Sequence, residues 1–341
     1  MTVDELWYGR SARAQLARAV VTPLSWLYGA VVATRNALYD SGALRVHPAS
    51  IPIISVGNVT VGGTGKTPFS AYLVGELISA GHRPAVVMRG YGDDELHLHR
   101  RMNPGVAVIT GADRVTGIRA AAAGGADVVV LDDGFQHRRA SRDLDVVLVS
   151  AESWRNDLRL LPAGPLRESL RSLDRADVIV VTQKSATNEQ AGDVMRAIGA
   201  EHRGAGFAIA TLQPDALVRA SDGQTMALDE LRGARVLAVA GIGDPASFFA
   251  QLRILGADVT ELRFRDHHDY IASDAARIVS ESRGHKYVVT TEKDAVKLTR
   301  VWPANGLELW YLSQAVRLTE GYSLVASALA NLFKRATSIA E

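Results

Sequence analysis

The segment from Ile51 to Ala80 constrains the fold more than any other. An apolar run of strand length, IPIISV, passes into the glycine-rich GNVTVGGTGKTP and then into an amphipathic helical pattern beginning at Lys66. Strand, loop and helix in that order are the setting of a phosphate cradle. Gly62, Gly63 and Gly65 let backbone N–H groups turn inward, and the helix start favours negative charge. Lys66 can reach the β and γ phosphates of a nucleotide, and Thr67 can ligate Mg²⁺. Thr60 stands where the G-x-x-x-x-G-K-[ST] pattern has its first glycine. ATP contacts are therefore expected along Thr60, Val61, Gly62, Gly63, Thr64, Gly65, Lys66 and Thr67. A glycine-rich turn that binds no nucleotide is the alternative.

Of 38 lysines and arginines only six are lysine, and Lys66 is the first of them. A chain that otherwise uses arginine places lysine where a compact point charge is needed rather than a forked guanidinium. The formal net charge of +1 supplies no basic footprint for nucleic acid. With no cysteine, disulfides, thiolate nucleophiles and thiolate metal sites are excluded, which fits a reducing compartment.

Beyond the loop, strand-length runs alternate with helical patterns. PAVVM, VAVIT and VVVL lie before residue 132, with a helix near Arg114 to Ala123, and further strands are expected at 146–149 and 178–181. This βαβ alternation predicts a parallel sheet covered on both faces. The polar stretch from Lys184 to Gly206 reads as a break, after which FAIATL, RVLAVAG, VTELRF, YVVTT and LELWYL repeat the theme. The expected organisation is an N-terminal segment 1–45, a P-loop core 46–205, and a smaller α/β domain 206–341 over the cleft.

Sixteen residues without charge lie between Arg18 and Arg35, with Pro23 interrupting them. They are too few to span a bilayer and lack the cleavage pattern of a secretory signal. Val20, Leu24, Leu27 and Val31 form one helical stripe beside Trp26 and Tyr28, which suits a helix lying in a membrane surface. An amphipathic helix packed on the protein's own core is the other reading.

VVVLDDGFQH places Asp132 and Asp133 at the carboxyl end of a strand, where a Mg²⁺-holding aspartate is expected in an α/β sheet, although adjacent acids there can also form a solvated turn. VGNVTVGGTGKTP, RGYG, LDDGFQHRR, LPAGPLRE, AGIGDPASFF, DHH and TTEKDAVKL, with PLSWLYG near the start, together resemble the bacterial tetraacyldisaccharide 4'-kinases of lipid A synthesis. The resemblance runs in order from about residue 5 to about residue 300.

The resemblance implies a P-loop NTPase-like kinase on the cytoplasmic face of the inner membrane. ATP and Mg²⁺ would be cosubstrates, and the acceptor the 4'-hydroxyl of a lipid-linked disaccharide 1-phosphate, with no obligate protein partner evident. It implies Asp94 as the base that takes the hydroxyl proton and His267 as its support, with Lys66 and Asp133 also catalytic and Thr67 and Asp132 on the metal. Family members commonly carry an intervening stretch after RGYG; here Gly92 runs straight into Asp93, Asp94 and Glu95, so Asp93 stays open as the base. Arg89, Tyr91, Arg114, Gln136, His137, Arg167 and Glu168 are expected around the acceptor, while Glu292 and Lys293 either line the cleft or stabilise it. Two other readings stand beside this one: a membrane-recruited P-loop ATPase switch, and a kinase of a soluble small molecule.

Overall fold

The computed structural model describes residues 2–90, 93–266, 268–304 and 306–340, with 93–94 and 335–340 described by backbone alone. In chain order the elements are α1 (Val3–Tyr8), α2 (Ala12–Asp40), β1 (Ile53–Asn58), α3 (Lys66–Ser79), β2 (Pro84–Met88), α4 (Asp93–Met102), β3 (Ala107–Thr110), α5 (Arg114–Ala123), β4 (Val128–Asp132), β5 (Leu144–Ser150), β6 (Val178–Gln183) and α6 (Asn188–Glu201). There follow β7 (Gly206–Arg219), β8 (Thr225–Met226), β9 (Arg235–Ala240), α7 (Pro245–Ile254), β10 (Asp258–Arg263), α8 (Ala272–Glu281), β11 (Tyr287–Thr291), α9 (Glu292–Leu298), β12 (Leu309–Glu320) and α10 (Tyr322–Ala340).

The described strands form one sheet in the order β10-β9-β11-β12-β7-β6-β5-β1-β4-β2-β3, with β8 on β7. Every residue of β1, β2, β4, β5 and β6 is buried, as apolar runs covered on both faces must be. β1 lies between β4 and β5. The chain therefore reverses its direction of travel across the sheet beside β1, and a crevice opens at the carboxyl ends of these strands.

Register decides how the two halves meet. Gln183, at the end of β6, pairs with Thr211 in the middle of β7, and Thr291, at the end of β11, pairs with Leu312 in β12. β7 and β12 run antiparallel along their length. The carboxyl ends of the two parallel sets thus face each other over the middle of this long ribbon, and both contribute loops to one cleft.

Three features depart from expectation. The stretch read as a break contains α6, entered through a capping box made by Thr187 and Gln190, and the strands on either side of it, β6 and β7, pair with each other in the one sheet. The C-terminal helix α10, expected to belong with the second half, packs on the first: Val325, Leu329 and Leu332 join Phe69, Leu73 and Val180 in one core. β12 returns the chain alongside β7, so the next helix must land there. Finally, Pro23 does not interrupt α2, which runs unbroken for 29 residues and is long and apolar enough by length and composition to cross a membrane.

The same helix is fastened along one side to the first half. Ser25 Oγ accepts from Ala163 N at 3.0 Å, Tyr28 Oη donates to the Arg167 carbonyl at 2.8 Å, Arg35 donates to the Gln136 carbonyl at 2.8 Å, and Asn36 donates to Glu168 at 2.9 Å. On the other side Val20, Leu24, Leu27 and Val31 are 71%, 57%, 64% and 61% exposed. The stripe is not part of the core.

Candidate active site

The phosphate loop is braced from behind. Asn58, at the end of β1, donates to Thr64 Oγ1 at 3.0 Å, Thr182 Oγ1 donates to the Thr64 carbonyl at 2.9 Å, and Lys184 Nζ donates to the Gly63 carbonyl at 2.8 Å. Gly65 caps α3 with φ of 84°, and a Cβ there would stand 2.5 Å from Leu212 Cδ2. The left-handed φ favours glycine there. No side chain caps the helix, which leaves its first N–H groups for an anion. Val61 through Thr67 line the cleft, whereas Thr60 is buried, bridges to Leu166, and is not among the lining residues.

The cleft encloses about 1370 Å³ and brings together the loop, Asp132, Asp133, Arg89, Arg114, Gln136, His137, Arg167 and Glu168. The two aspartates behave differently. Asp132 is buried; its Oδ1 accepts from Ser70 at 3.2 Å and its Oδ2 meets His99 Nε2 at 2.9 Å. Burial pushes its carboxyl up, but the bond and charge of His99, with Lys66 and Lys293 beyond, win and hold it below the ordinary value. Asp133 turns out of the strand with φ of 55°. It takes Arg167 at 3.1 Å on both oxygens and lies 3.6 Å from Lys66 Nζ. Burial draws the Lys66 ammonium below the ordinary lysine value, and Asp133 opposes that shift.

The acceptor-side residues divide into two groups. Gln136 Nε2 donates to the Asn58 carbonyl at 2.8 Å, which ties the DDGFQH turn to the end of β1. His137 is pushed down to about 4, first by burial and then by Arg114 and Arg139. Glu168 lines the cleft, yet its Oε2 collects Asn36, Ser172 and Arg175 at 2.8 to 2.9 Å. It fastens α2 to the LPAGPLRE loop. Of the remaining expected residues, Tyr91, His267 and the side chains of Asp93 and Asp94 lie outside the described residues; Asp94 falls in the first turn of α4 by its backbone, and Asp266 and Asp269 border the cleft.

The second half closes the far side. Gly241 to Asp244 leave β9 and Thr291 to Asp294 leave β11, all lining the cleft. Lys293 Nζ lies 2.8 Å from Glu95 on α4, and Glu292 pairs with Arg101 on the same helix. The pairs cross between α4 and α9, so Glu292 and Lys293 both line the cleft and hold it together. Burial pushes the Glu292 carboxyl up, against the pull of Arg101.

A sequence profile described as LpxK, tetraacyldisaccharide-1-P 4'-kinase, matches residues 17–100 and 92–333. The chain belongs to that family. The two matched stretches overlap at 92–100, beside the shortened segment after Gly92. A tetraacyldisaccharide 4'-kinase of Halorhodospira halophila is 38% identical over 350 residues, covering 96% of this chain and 95% of that one. One of Syntrophus aciditrophicus is 40% identical over 316 residues, covering 80% and 82%. The crystal structure of LpxK from Aquifex aeolicus, described as an "apo" form in complex with ATP, superposes with a TM-score of 0.72 at 30% identity, covering 93% of this chain and 99% of that one.

Within this kinase family fold, the donors suit Mg²⁺. Thr67, Asp132 and Asp133 offer hard oxygens to one cleft. Mg²⁺ binds through one or two carboxylates plus waters and substrate phosphates, which such a set can supply. Sequence reading missed His99, Ser70 and the bracing role of Lys184. The one available signal was helical spacing: in LHLHRR, His99 follows Leu98 on the inward face of α4, where Leu98 is also buried.

Proposed function

We propose that this chain moves the γ-phosphate of ATP onto the 4'-hydroxyl of tetraacyldisaccharide 1-phosphate, giving lipid IVA, at the cytoplasmic surface of the inner membrane. The P–O bond between the γ phosphorus and the β–γ bridging oxygen breaks as a bond from the 4'-oxygen forms, and the hydroxyl proton passes to a carboxylate. The observation that carries this reading is the reach of one cleft. It runs from Tyr28 and Val32 on α2 to Lys66, Asp133 and Arg167 at the phosphate loop, joining the helix with the exposed apolar stripe to the place where phosphate is held.

In this reading, acyl chains stay in the bilayer beside α2 while the sugar enters the cleft. The N–H groups of Gly62 to Thr67 cradle the phosphates, and Lys66 neutralises charge at the β and γ groups. Arg167 leaves Asp133 for the transferred phosphoryl or the acceptor's own phosphate. Thr67 and Asp132 hold Mg²⁺, which screens the phosphate charge when bound. Asp94, or Asp93, accepts the proton, with His267 orienting it. The second half excludes water from the cleft.

The test is transfer of labelled γ-phosphate from ATP to tetraacyldisaccharide 1-phosphate in detergent micelles by wild type, Lys66→Ala, Asp94→Ala and Asp93→Ala. A labelled bisphosphate lost in Lys66→Ala and in one aspartate variant supports the kinase and assigns the base. ATP hydrolysis with unlabelled lipid in the wild type overturns the reading.

A further inference from the structure

Two helices and a strand converge on one buried carboxylate. Ser70 comes from α3, His99 from α4, and Asp132 stands at the end of β4. His99 is fully buried. Its Nε2 lies 2.9 Å from Asp132 Oδ2, while among the described residues its buried Nδ1 has no hydrogen-bond partner. An unpaired buried polar atom is costly to keep. The contact of Nε2 with Asp132 is the polar interaction the buried ring makes among the described residues.

We propose that His99 is a positioning residue for phosphoryl transfer. It fixes the rotamer of Asp132 so that the remaining lone pairs of the carboxylate point to the metal-bearing end of ATP. By the same bond it sets α4, whose first turn contains residues 93 and 94, at a defined distance from the phosphate loop. The crossed ion pairs of Glu95 and Arg101 attach α4 to the second half, whereas His99 attaches it to the nucleotide side. The inference rests on the reading of Asp132 as a Mg²⁺ ligand. Side chains that orient a ligating carboxylate typically change metal affinity or activity by about 10- to 100-fold.

The experiment uses the full chain as wild type, His99→Leu, His99→Gln and Asp132→Asn. Mn²⁺ binding in the presence of ADP is read by electron paramagnetic resonance, alongside kcat, the KM for ATP and thermal unfolding. His99→Leu is expected to weaken Mn²⁺ binding and lower kcat by about 10- to 100-fold. His99→Gln, whose Nε2 reaches the same point, recovers most of both. A folded His99→Leu with wild-type Mn²⁺ affinity and kcat overturns the proposal, as does a His99→Gln no better than His99→Leu. If His99→Leu does not fold, His99→Gln is compared with His99→Asn, whose shorter amide falls short of Oδ2. Unchanged Mn²⁺ binding in Asp132→Asn removes the metal reading and the inference with it; loss in Asp132→Asn alone removes only the inference.

Discussion

Lys66 Nζ lies 3.6 Å from Oδ1 of Asp133, the carboxylate that Arg167 also grips through both oxygens at 3.1 Å. Two cations that line the cleft are thus gathered on one protein carboxylate, which on the proposed reading nucleotide phosphate displaces. Lys66→Ala is expected to lower phosphate transfer at saturating ATP by roughly 10²- to 10³-fold, the range for removing one preorganised donor. Lys66→Arg should not restore it, because a planar fork does not fit where a point charge sits against the glycine loop. Single-turnover transfer rates decide both.

His137 gives a pH dependence of stability whose sign is fixed. Its pKa falls from 6.5 to about 4 on folding, so between those values the unfolded chain takes up a proton that the folded chain refuses. The stability is complete above pH 6.5 and is lost as the pH falls toward 4. In His137→Gln, urea midpoints followed across that window are expected to decline less than in the wild type. An identical decline would remove His137 as the cause.

The Glu95 and Lys293 pair links α4 to α9 while being about one-quarter to one-third exposed. A double-mutant cycle with Glu95→Gln and Lys293→Met should give a coupling of roughly 0.5–1 kcal/mol that shrinks in high salt. Because the pair spans the cleft, either change is also expected to lower kcat more than it raises the KM for ATP. Equal effects of the single and double changes on both unfolding and kcat would confirm the shared contact; simple additivity would argue that the pair is idle.

On the proposed reading, the exposed stripe of α2 allows membrane capture to be tested apart from folding. Val20→Asp combined with Leu24→Glu leaves the buried side of the helix untouched, so the melting temperature should stay close to wild type. Binding to vesicles containing the lipid substrate is expected to fall by roughly 100-fold or more, since withdrawing two large apolar side chains from the interface at about 1.5–3 kcal/mol each removes at least about 3 kcal/mol of burial. Vesicle sedimentation measures the first expectation and thermal unfolding the second.

The glycine-rich loop, the strand ending at Asp132 beside Asp133, and the alternation that builds a parallel sheet were all legible in the sequence. Each is a local pattern in which period, glycine placement and a charged residue at a strand end carry their own physical meaning. α6 and α10 were not legible as elements. A polar N-terminal turn disguised the first, and the second depends on where β12 delivers the chain.

Local pattern sufficed for a glycine-rich loop between β1 and α3 and for an acidic pair at the end of β4 that lines the same cleft. Tertiary structure alone decided how that pair divides, with Asp132 buried between Ser70 and His99 and Asp133 turned out to Lys66 and Arg167. It also decided that Glu292 and Lys293 cross to α4, and that the stripe of α2 faces outward. These contacts join residues tens to hundreds of positions apart, and their partners are set by strand register and helix packing, which no local pattern encodes.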